Sequence, residues 1–140
     1  MERNLDVIRD VLLEIESSGW GFVELEKITE KTDLHKDVVN YHLKLLYQAG
    51  FIEASIFRGK EGIGHSRKVQ QDEDYIVLVK PWSLTWEGHE YLDTMRDPEI
   101  WKKTKECVNG VGSFSLDTLK SVAKGLIKTK LKQHTGIEIE

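Results

Sequence analysis

The fold of this 140-residue chain is decided by one stretch, residues 38–57, which read VVNYHLKLLYQAGFIEASIF. In its first half, apolar side chains recur at the spacing of one helix face. Gly50 follows, and glycine supplies the left-handed conformation with which many helices end. From Phe51 to Phe57 the pattern changes towards the alternation that is typical of a strand. The stretch therefore predicts a helix that stops at a glycine and runs directly into a β-strand.

Two shorter helices are predicted before this stretch and a second strand after it. Apolar spacings of three and four predict a first helix from Leu5, and Leu25 with Ile28 marks a short second helix that ends near Thr32. Asp33 is the predicted N-cap of the third helix, which covers 35–48. The β-rich run 75–79 predicts the second strand, and a polar loop with three glycines joins it to the first. Three helices followed by a hairpin is the order of a winged helix-turn-helix domain, which we assign to residues 1–82.

A helical extension is predicted over residues 83–140. Thr85 is the expected cap of a fourth helix, and Asp97-Pro98 is expected to begin a fifth. The side chains predicted to be buried in these two helices are Trp86, Tyr91, Leu92, Met95, Ile100, Trp101 and Val108. The predicted fold class is thus mainly α with a small β-hairpin, a winged helix-turn-helix followed by a C-terminal helical extension.

The last predicted helix has a broad apolar face over residues 116–131, beside five lysines, Lys120, Lys124, Lys128, Lys130 and Lys132. Three alternatives fit this pattern: a second phosphate contact, a homodimer through residues 116–131, or packing on an acidic partner, which includes the protein's own N-terminal half. We favour packing on the N-terminal domain or dimerisation.

Composition narrows the class of protein. The chain has 20 Lys+Arg against 24 Asp+Glu and 39% apolar residues, which is typical of a folded protein rather than a disordered one. Its longest strictly apolar run, 76–79, is far too short to cross a membrane. The N-terminus lacks the pattern of a signal peptide, and the single Cys107 cannot form an internal disulfide. These features predict a cytoplasmic protein that does not contact a membrane.

No pattern in the sequence indicates an enzyme. The five histidines and Cys107 show no zinc-finger or His-Glu-x-x-His spacing, and the glycines of the loop lack the Lys-Ser/Thr of a phosphate-binding loop. His89 and Asp93 could share a surface hydrogen bond, and Cys107 is interpreted as a small packing residue. We therefore predict no catalytic residues, no metal or other cofactor and no small-molecule ligand.

The helix over 35–48 is instead a candidate for recognition of double-stranded DNA. Val39, Leu43 and Leu46 are expected to face the core, and Lys36, Asn40 and Lys44, four residues apart, to face outward, with His35 at the leading end. Asparagine can bond adenine through two hydrogen bonds, and lysine can contact guanine or a phosphate. We expect these side chains to reach the major groove.

The loop of the hairpin is expected to contact the flanking DNA backbone. Its basic residues are Arg58, Lys60, Arg67 and Lys68, which with Glu61 give a net charge of +3 over residues 58–68. The first fifty residues have a net charge of −4, which opposes binding to DNA. The alternative function is therefore a non-enzymatic protein-interaction module that keeps the winged-helix fold and does not bind DNA.

Two motifs resemble known proteins. His42-Leu43-x-x-Leu46-x-x-Ala49-Gly50-Phe51 resembles the third helix and first wing strand of many bacterial winged-helix regulators, with phenylalanine where leucine is usual. Leu84-Thr85-x-x-Gly88 resembles the motif that follows the wing in those proteins.

The longer run 84–93, continued by Arg96-Asp97 and Ile100-Trp101-x-x-x-Lys105, is similar to an uncharacterised bacterial and phage family, the domain of unknown function numbered 2513. That resemblance spans nearly the whole chain. It implies a winged-helix fold, a phage or prophage setting and no established activity. A candidate family patch consists of Trp86, Gly88, His89 and Trp101, although aromatic residues at helical spacing are more often part of a core. The predicted function is a small phage-type DNA-binding or transcription-regulatory protein.

Overall fold

A computed structural model describes residues 1–19, 21–59, 76–108 and 116–136 of the chain. Within these ranges it is mainly helical, with one antiparallel two-stranded hairpin, which confirms the predicted fold class. The elements are α1 (Leu5–Ser17), α2 (Leu25–Thr32), α3 (Lys36–Gln48), β1 (Ile52–Arg58), β2 (Ile76–Leu84), α4 (Trp86–Asp93), α5 (Pro98–Val108) and α6 (Leu116–Thr135). None of the helices in these ranges is both long enough and apolar enough to cross a bilayer.

The chain divides into two compact units, residues 1–89 and 90–140. The division into domains 1–82 and 83–140 stays a prediction. The N-terminal unit contains α1, α2, α3 and the hairpin, and the C-terminal unit contains α5 and α6.

Polar side chains set the helix ends of the N-terminal unit. The Asn4 Oδ1 accepts from the backbone N–H groups of Asp6 and Val7, at 2.9 and 3.2 Å, and so caps α1. Asp33 does not cap α3, as the sequence had suggested, because it has a left-handed φ of 59° and ends α2. His35 holds the cap instead, with its Nδ1 accepting from the Asp37 N–H at 3.1 Å. The predicted stop at Gly50 is present, with a φ of 81°.

The core of the N-terminal unit follows the predicted apolar spacing of α1 and α3. Helices α1, α2 and α3 pack on one another, and α1 and α3 also contact the hairpin. The fully buried side chains include Val11, Leu12, Ile15, Ile28, Val39, Leu43 and Leu46. The hairpin adds the buried Ile52 and Val79, since alternate residues of a strand face the same side.

Strand β2 is longer than predicted and continues through Pro81 to Leu84. Its register pairs Ser55 with Lys80 and Ile56 with Val79. The Pro81 carbonyl accepts a hydrogen bond from the backbone N–H of Val23 at 2.9 Å, which ties the segment between α1 and α2 to the hairpin. Proline, which has no backbone N–H, is tolerated at this position because that side of β2 does not pair with β1. A sequence pattern does not reveal such a backbone bond.

In the C-terminal unit, α5 begins as predicted. The Asp97 Oδ1 accepts from the backbone N–H groups of Glu99 and Ile100, at 2.8 and 3.1 Å, and Pro98 is the first helical residue. Helix α6 continues without a break through Gly125, and α5 and α6 pack together. The side chains buried in these two helices are Ile100, Trp101, Thr104, Val108, Leu119 and Ala123.

The two helices of the C-terminal unit run in opposite directions. The Lys130 Nζ donates to the Asp97 Oδ2 at 2.7 Å and lies 3.6 Å from the Glu99 Oε1. This contact places the beginning of α5 beside the second half of α6. The apolar stripe of α6 is therefore covered in part by α5, and the homodimer through residues 116–131 stays a prediction.

Candidate nucleic-acid interface

The outward side of α3 follows from the side chains that the helix buries. Val39, His42, Leu43 and Leu46 are buried, and each residue advances by about 100° around a helix of 3.6 residues per turn. The direction opposite these buried side chains is therefore occupied by a row that consists of Asp37, Tyr41, Lys44 and Gln48. Lys36, in the first turn, lies to one side of this row, and we call Lys36 together with the row the α3 face.

The two predicted lysines lie on the α3 face. Lys36 is exposed in the first turn, and Lys44 is half-buried near the middle of the outward row. Tyr41 is half-buried and Gln48 is exposed, and the prediction from the sequence omitted both. Both could have been found by measuring how far around the helix each residue lies from the centre of the buried side chains. Steps of four residues, as from Lys36 to Lys44, move gradually around the helix and do not stay on one side of it.

Asn40 does not turn outward, so that part of the prediction is wrong. Its side chain is half-buried, and its Oδ1 accepts from the backbone N–H of Val79 in β2 at 3.1 Å. The helix places Asn40 between the outward row and the buried side, where β2 is within reach. Its amide oxygen therefore supplies an acceptor for a strand N–H, and the side chain fastens α3 to the hairpin.

His42 has a structural role that the sequence did not indicate. Its side chain is 1% exposed, its Nε2 accepts from the backbone N–H of Asn4 at 2.8 Å, and its Nδ1 lies 2.8 Å from the Val38 carbonyl oxygen. Because a carbonyl only accepts, Nδ1 is the donor of the second bond, and Nε2 is the acceptor of the first. The histidine of the first motif thus ties the start of α1 to α3.

His35 remains at the surface. It is exposed at the leading end of α3, as predicted, but its Nδ1 is engaged as the helix cap and lies 3.7 Å from the Asp37 Oδ2. Only its Nε2 side remains to reach a ligand.

Of the predicted basic wing, the structure describes Arg58 alone. It is the last residue of β1 and is exposed. Lys60, Arg67 and Lys68 lie outside the described residues, so their contact with a DNA backbone stays a prediction.

The second motif fastens α4 to the turn between α3 and β1. The Thr85 Oγ1 donates to the Gly50 carbonyl at 2.6 Å and accepts from the Gly88 N–H at 3.0 Å. The Thr85 N–H donates to the Phe51 carbonyl, and a Cβ on Gly88 would overlap that same oxygen. Glycine at position 88 is therefore required by the close approach of α4 to a backbone carbonyl.

The candidate family patch consists of residues with different roles. Gly88 and Trp101 are buried, and the Lys105 Nζ lies 5.4 Å from the centroid of the Trp101 ring. Trp86 is 76% exposed, so its predicted burial is wrong. His89 is also exposed, with its Nδ1 3.5 Å from the Glu16 Oε2. Of these four residues, Trp86 and His89 are therefore the exposed ones.

The remaining charged and reactive side chains that the sequence singled out lie at the surface. Asp93 pairs with Arg96 at 3.0 Å, and Cys107 is exposed, which corrects its interpretation as a packing residue. Within the described ranges, no three His, Cys, Asp or Glu side chains are arranged to share a metal ion.

An exposed surface of the hairpin was not predicted. Phe22, Phe57 and Trp82 are each about half exposed, and Lys80 lies among them. The Phe22 and Trp82 ring centroids are 5.2 Å apart, with an edge-to-face orientation. We call these four residues the aromatic face. The sequence signal was the alternation along β2, which was missed because the strand was predicted to end at residue 79.

The described elements of the N-terminal unit are consistent with a winged helix-like arrangement: three helices are followed by a hairpin whose second strand also bonds the segment between α1 and α2. The chain belongs to the family described as Hypothetical protein (DUF2513), whose model matches residues 2–115. This result confirms the family resemblance, whereas the phage setting and the winged helix that the resemblance implies stay predictions. The chain is also similar to a protein of Haemophilus influenzae described as uncharacterized, with 32% identity over 132 residues, covering 94% of this chain and 99% of that protein. No solved structure matches the chain at a significant level.

Proposed function

We propose that the N-terminal unit binds double-stranded DNA through the α3 face, and that the protein acts as a small regulator of transcription in a phage or prophage setting. The observation that supports the proposal is the position of α3, which packs on two helices and the hairpin and leaves Lys36, Tyr41, Lys44 and Gln48 on its other sides. In helix-turn-helix proteins the helix in this position enters the major groove.

The side chains of the α3 face offer suitable chemistry. Lysine can bind guanine or a phosphate, and glutamine can bond adenine through two hydrogen bonds. The Asp37 carboxylate repels phosphates but can accept a bond from the amino group of cytosine. Asn40 is not part of this surface, since its oxygen is bonded to β2. The proposed contacts are therefore Lys36 and Lys44 for affinity, and Gln48 for base recognition.

A titration of random duplex DNA tests the proposal. Fluorescence anisotropy at low salt compares the wild-type chain with the double variant Lys36→Ala/Lys44→Ala. The matched control is Lys102→Ala/Lys103→Ala, which removes the same charge from two exposed positions of α5. We expect the α3 variant to bind more weakly and to lose about two units of salt slope, whereas the control binds like the wild type.

Two outcomes would contradict the proposal. If the wild-type chain does not bind duplex DNA at low salt, the alternative function, a protein-interaction module that keeps the winged-helix fold, is favoured. If both double variants weaken binding equally, the attraction is a property of total charge rather than of α3.

A further inference from the structure

The aromatic face lies on the outer side of the hairpin. Val79, which faces the core, is buried, whereas Lys80 and Trp82 project from the opposite side of β2. Phe57 pairs with Leu78 across the two strands, and Phe22 joins the face from the segment that bonds to Pro81. The face thus combines two strands with the connection between α1 and α2.

This composition is unusual for the solvent side of a small sheet, where polar side chains are the norm. The exposed fractions of Phe22, Phe57 and Trp82 are 51%, 48% and 46%. Neighbouring exposed aromatic side chains commonly mark a binding surface. The face therefore calls for a ligand that covers aromatic rings.

A cation at the centre of the face narrows the class of ligand. The Lys80 Nζ lies 5.9 Å from the ring centroids of both Phe22 and Phe57. In single-stranded nucleic acid, flat bases alternate with phosphates. The bases can stack on aromatic rings, and a phosphate can bind an ammonium group, so the aromatic face suits this class of ligand. The one described acidic side chain on the same side of β1, Glu53, accepts a hydrogen bond from the Ser83 Oγ at 3.2 Å, at the opposite end of the strand from Phe57.

We propose that the aromatic face binds single-stranded nucleic acid, with bases stacked on Phe57, Phe22 and Trp82 and a phosphate bound by Lys80. Two residues along a strand cover about 6.7 Å, so the rings extend over a length that suits the two or three bases that a small sheet reads. In a duplex the base faces are covered by neighbouring bases, and for that reason the face selects unpaired strands. This surface shares no residue with the α3 face.

The test is a titration of the full chain with a short labelled oligothymidylate at low salt, followed by anisotropy and by tryptophan fluorescence. Trp82→Ala is compared with Trp86→Ala, which removes the same side chain from a more exposed position on α4. Because stacking contributes about 1–3 kcal/mol per base, we expect Trp82→Ala to weaken binding roughly tenfold. Trp86→Ala and the ring-preserving Trp82→Phe should bind like the wild type.

Lys80→Gln provides a second, independent measurement. Loss of one phosphate contact should reduce the salt slope by about 0.7 while the folded state is kept, as checked by circular dichroism. Lys102→Gln, at an exposed position on α5, is the matched control and should leave the slope unchanged.

The failure of this proposal can be distinguished from the failure of duplex binding. It is overturned if the wild-type chain does not bind oligothymidylate, including the case in which the face binds an acidic polypeptide instead. It is also overturned if Trp82→Ala binds as well as Trp86→Ala. Loss of oligothymidylate binding in Lys36→Ala/Lys44→Ala would contradict it as well, since that result assigns both ligands to α3.

Discussion

Two polar contacts between elements of the N-terminal unit differ in kind from one contact between the helices of the C-terminal unit. In the N-terminal unit, uncharged bonds between elements reach part-buried backbone groups: His42 bonds the Asn4 N–H, and Asn40 bonds the Val79 N–H. In the C-terminal unit, the contact between α5 and α6 that involves Lys130 is an ion pair with half-exposed partners. The comparison shows where a substitution should matter, because a part-buried donor without its acceptor is expected to cost more than an exposed ion pair contributes.

The largest effect is expected from Gly88→Ala. The new methyl group would overlap the Phe51 carbonyl oxygen, which is backbone and already bonds the Thr85 N–H. We expect a loss of about 3 kcal/mol in the free energy of unfolding, measured by urea denaturation.

Gly125→Ala is the matched control for this substitution. Gly125 lies within α6, and a Cβ there would meet nothing within 4 Å. Alanine is the better helix former, so this variant should gain up to about 1 kcal/mol. Equal stability of the two variants would show that α4 does not approach the carbonyl as closely as described.

A smaller loss is expected from His42→Leu. Leucine fills most of the space but leaves the Asn4 N–H without its acceptor, which should cost about 2 kcal/mol by the same measurement. His89→Leu, at an exposed histidine, should change stability by less than about 0.5 kcal/mol. If both histidine variants unfold alike, the bond between α1 and α3 does not stabilise the N-terminal unit.

The smallest effect belongs to the ion pair of the C-terminal unit. The hydrogen bond from Lys130, assisted by the Ile100 N–H, lowers the pKa of Asp97 below its ordinary value of 3.8, and the same bond raises the pKa of Lys130 above 10.5. A lowered carboxyl pKa stabilises the fold above pH 3.8, and this contribution is lost as the pH falls through the folded-state pKa. A raised lysine pKa stabilises the fold below pH 10.5, and its contribution is lost as the pH rises further.

Asp97→Asn keeps a good helix cap and removes the charge. The variant should have a slightly lower urea midpoint than the wild type at neutral pH, and the difference should disappear in acid, where both side chains are neutral. A difference that persists in acid would mean that the cap, rather than the ion pair, was damaged.

The sequence predicted most of the fold because its signals are local. Helix spacing, the glycine at position 50 and the caps at Thr85 and Asp97 depend on residues within one turn of each other, and the structure contains all of them. The short linker after α2 was misread, because both Asp33 and His35 can cap a helix and only the backbone conformation distinguishes them.

The candidate site was less predictable, because it depends on distant neighbours. Asn40 lies at the border of a helix face, where the presence of β2 decides whether a polar side chain meets water or backbone. Trp86 fits the apolar spacing of α4 but is exposed, because the spacing does not show whether a neighbouring element covers that position. The periodicity of one helix predicts which of its faces is apolar, but it does not show which other elements pack against each face.

Pro81 has a consequence for the chain in a crowded cell. Its carbonyl bonds the Val23 N–H on the side of β2 away from β1, and the N–H that another residue would present on that side is missing. If a strand of another chain displaced the Val23 segment, it could not form a hydrogen bond to a backbone N–H at position 81, because proline has none. A proline at such a position is one of the ways in which proteins limit edge-to-edge pairing of strands.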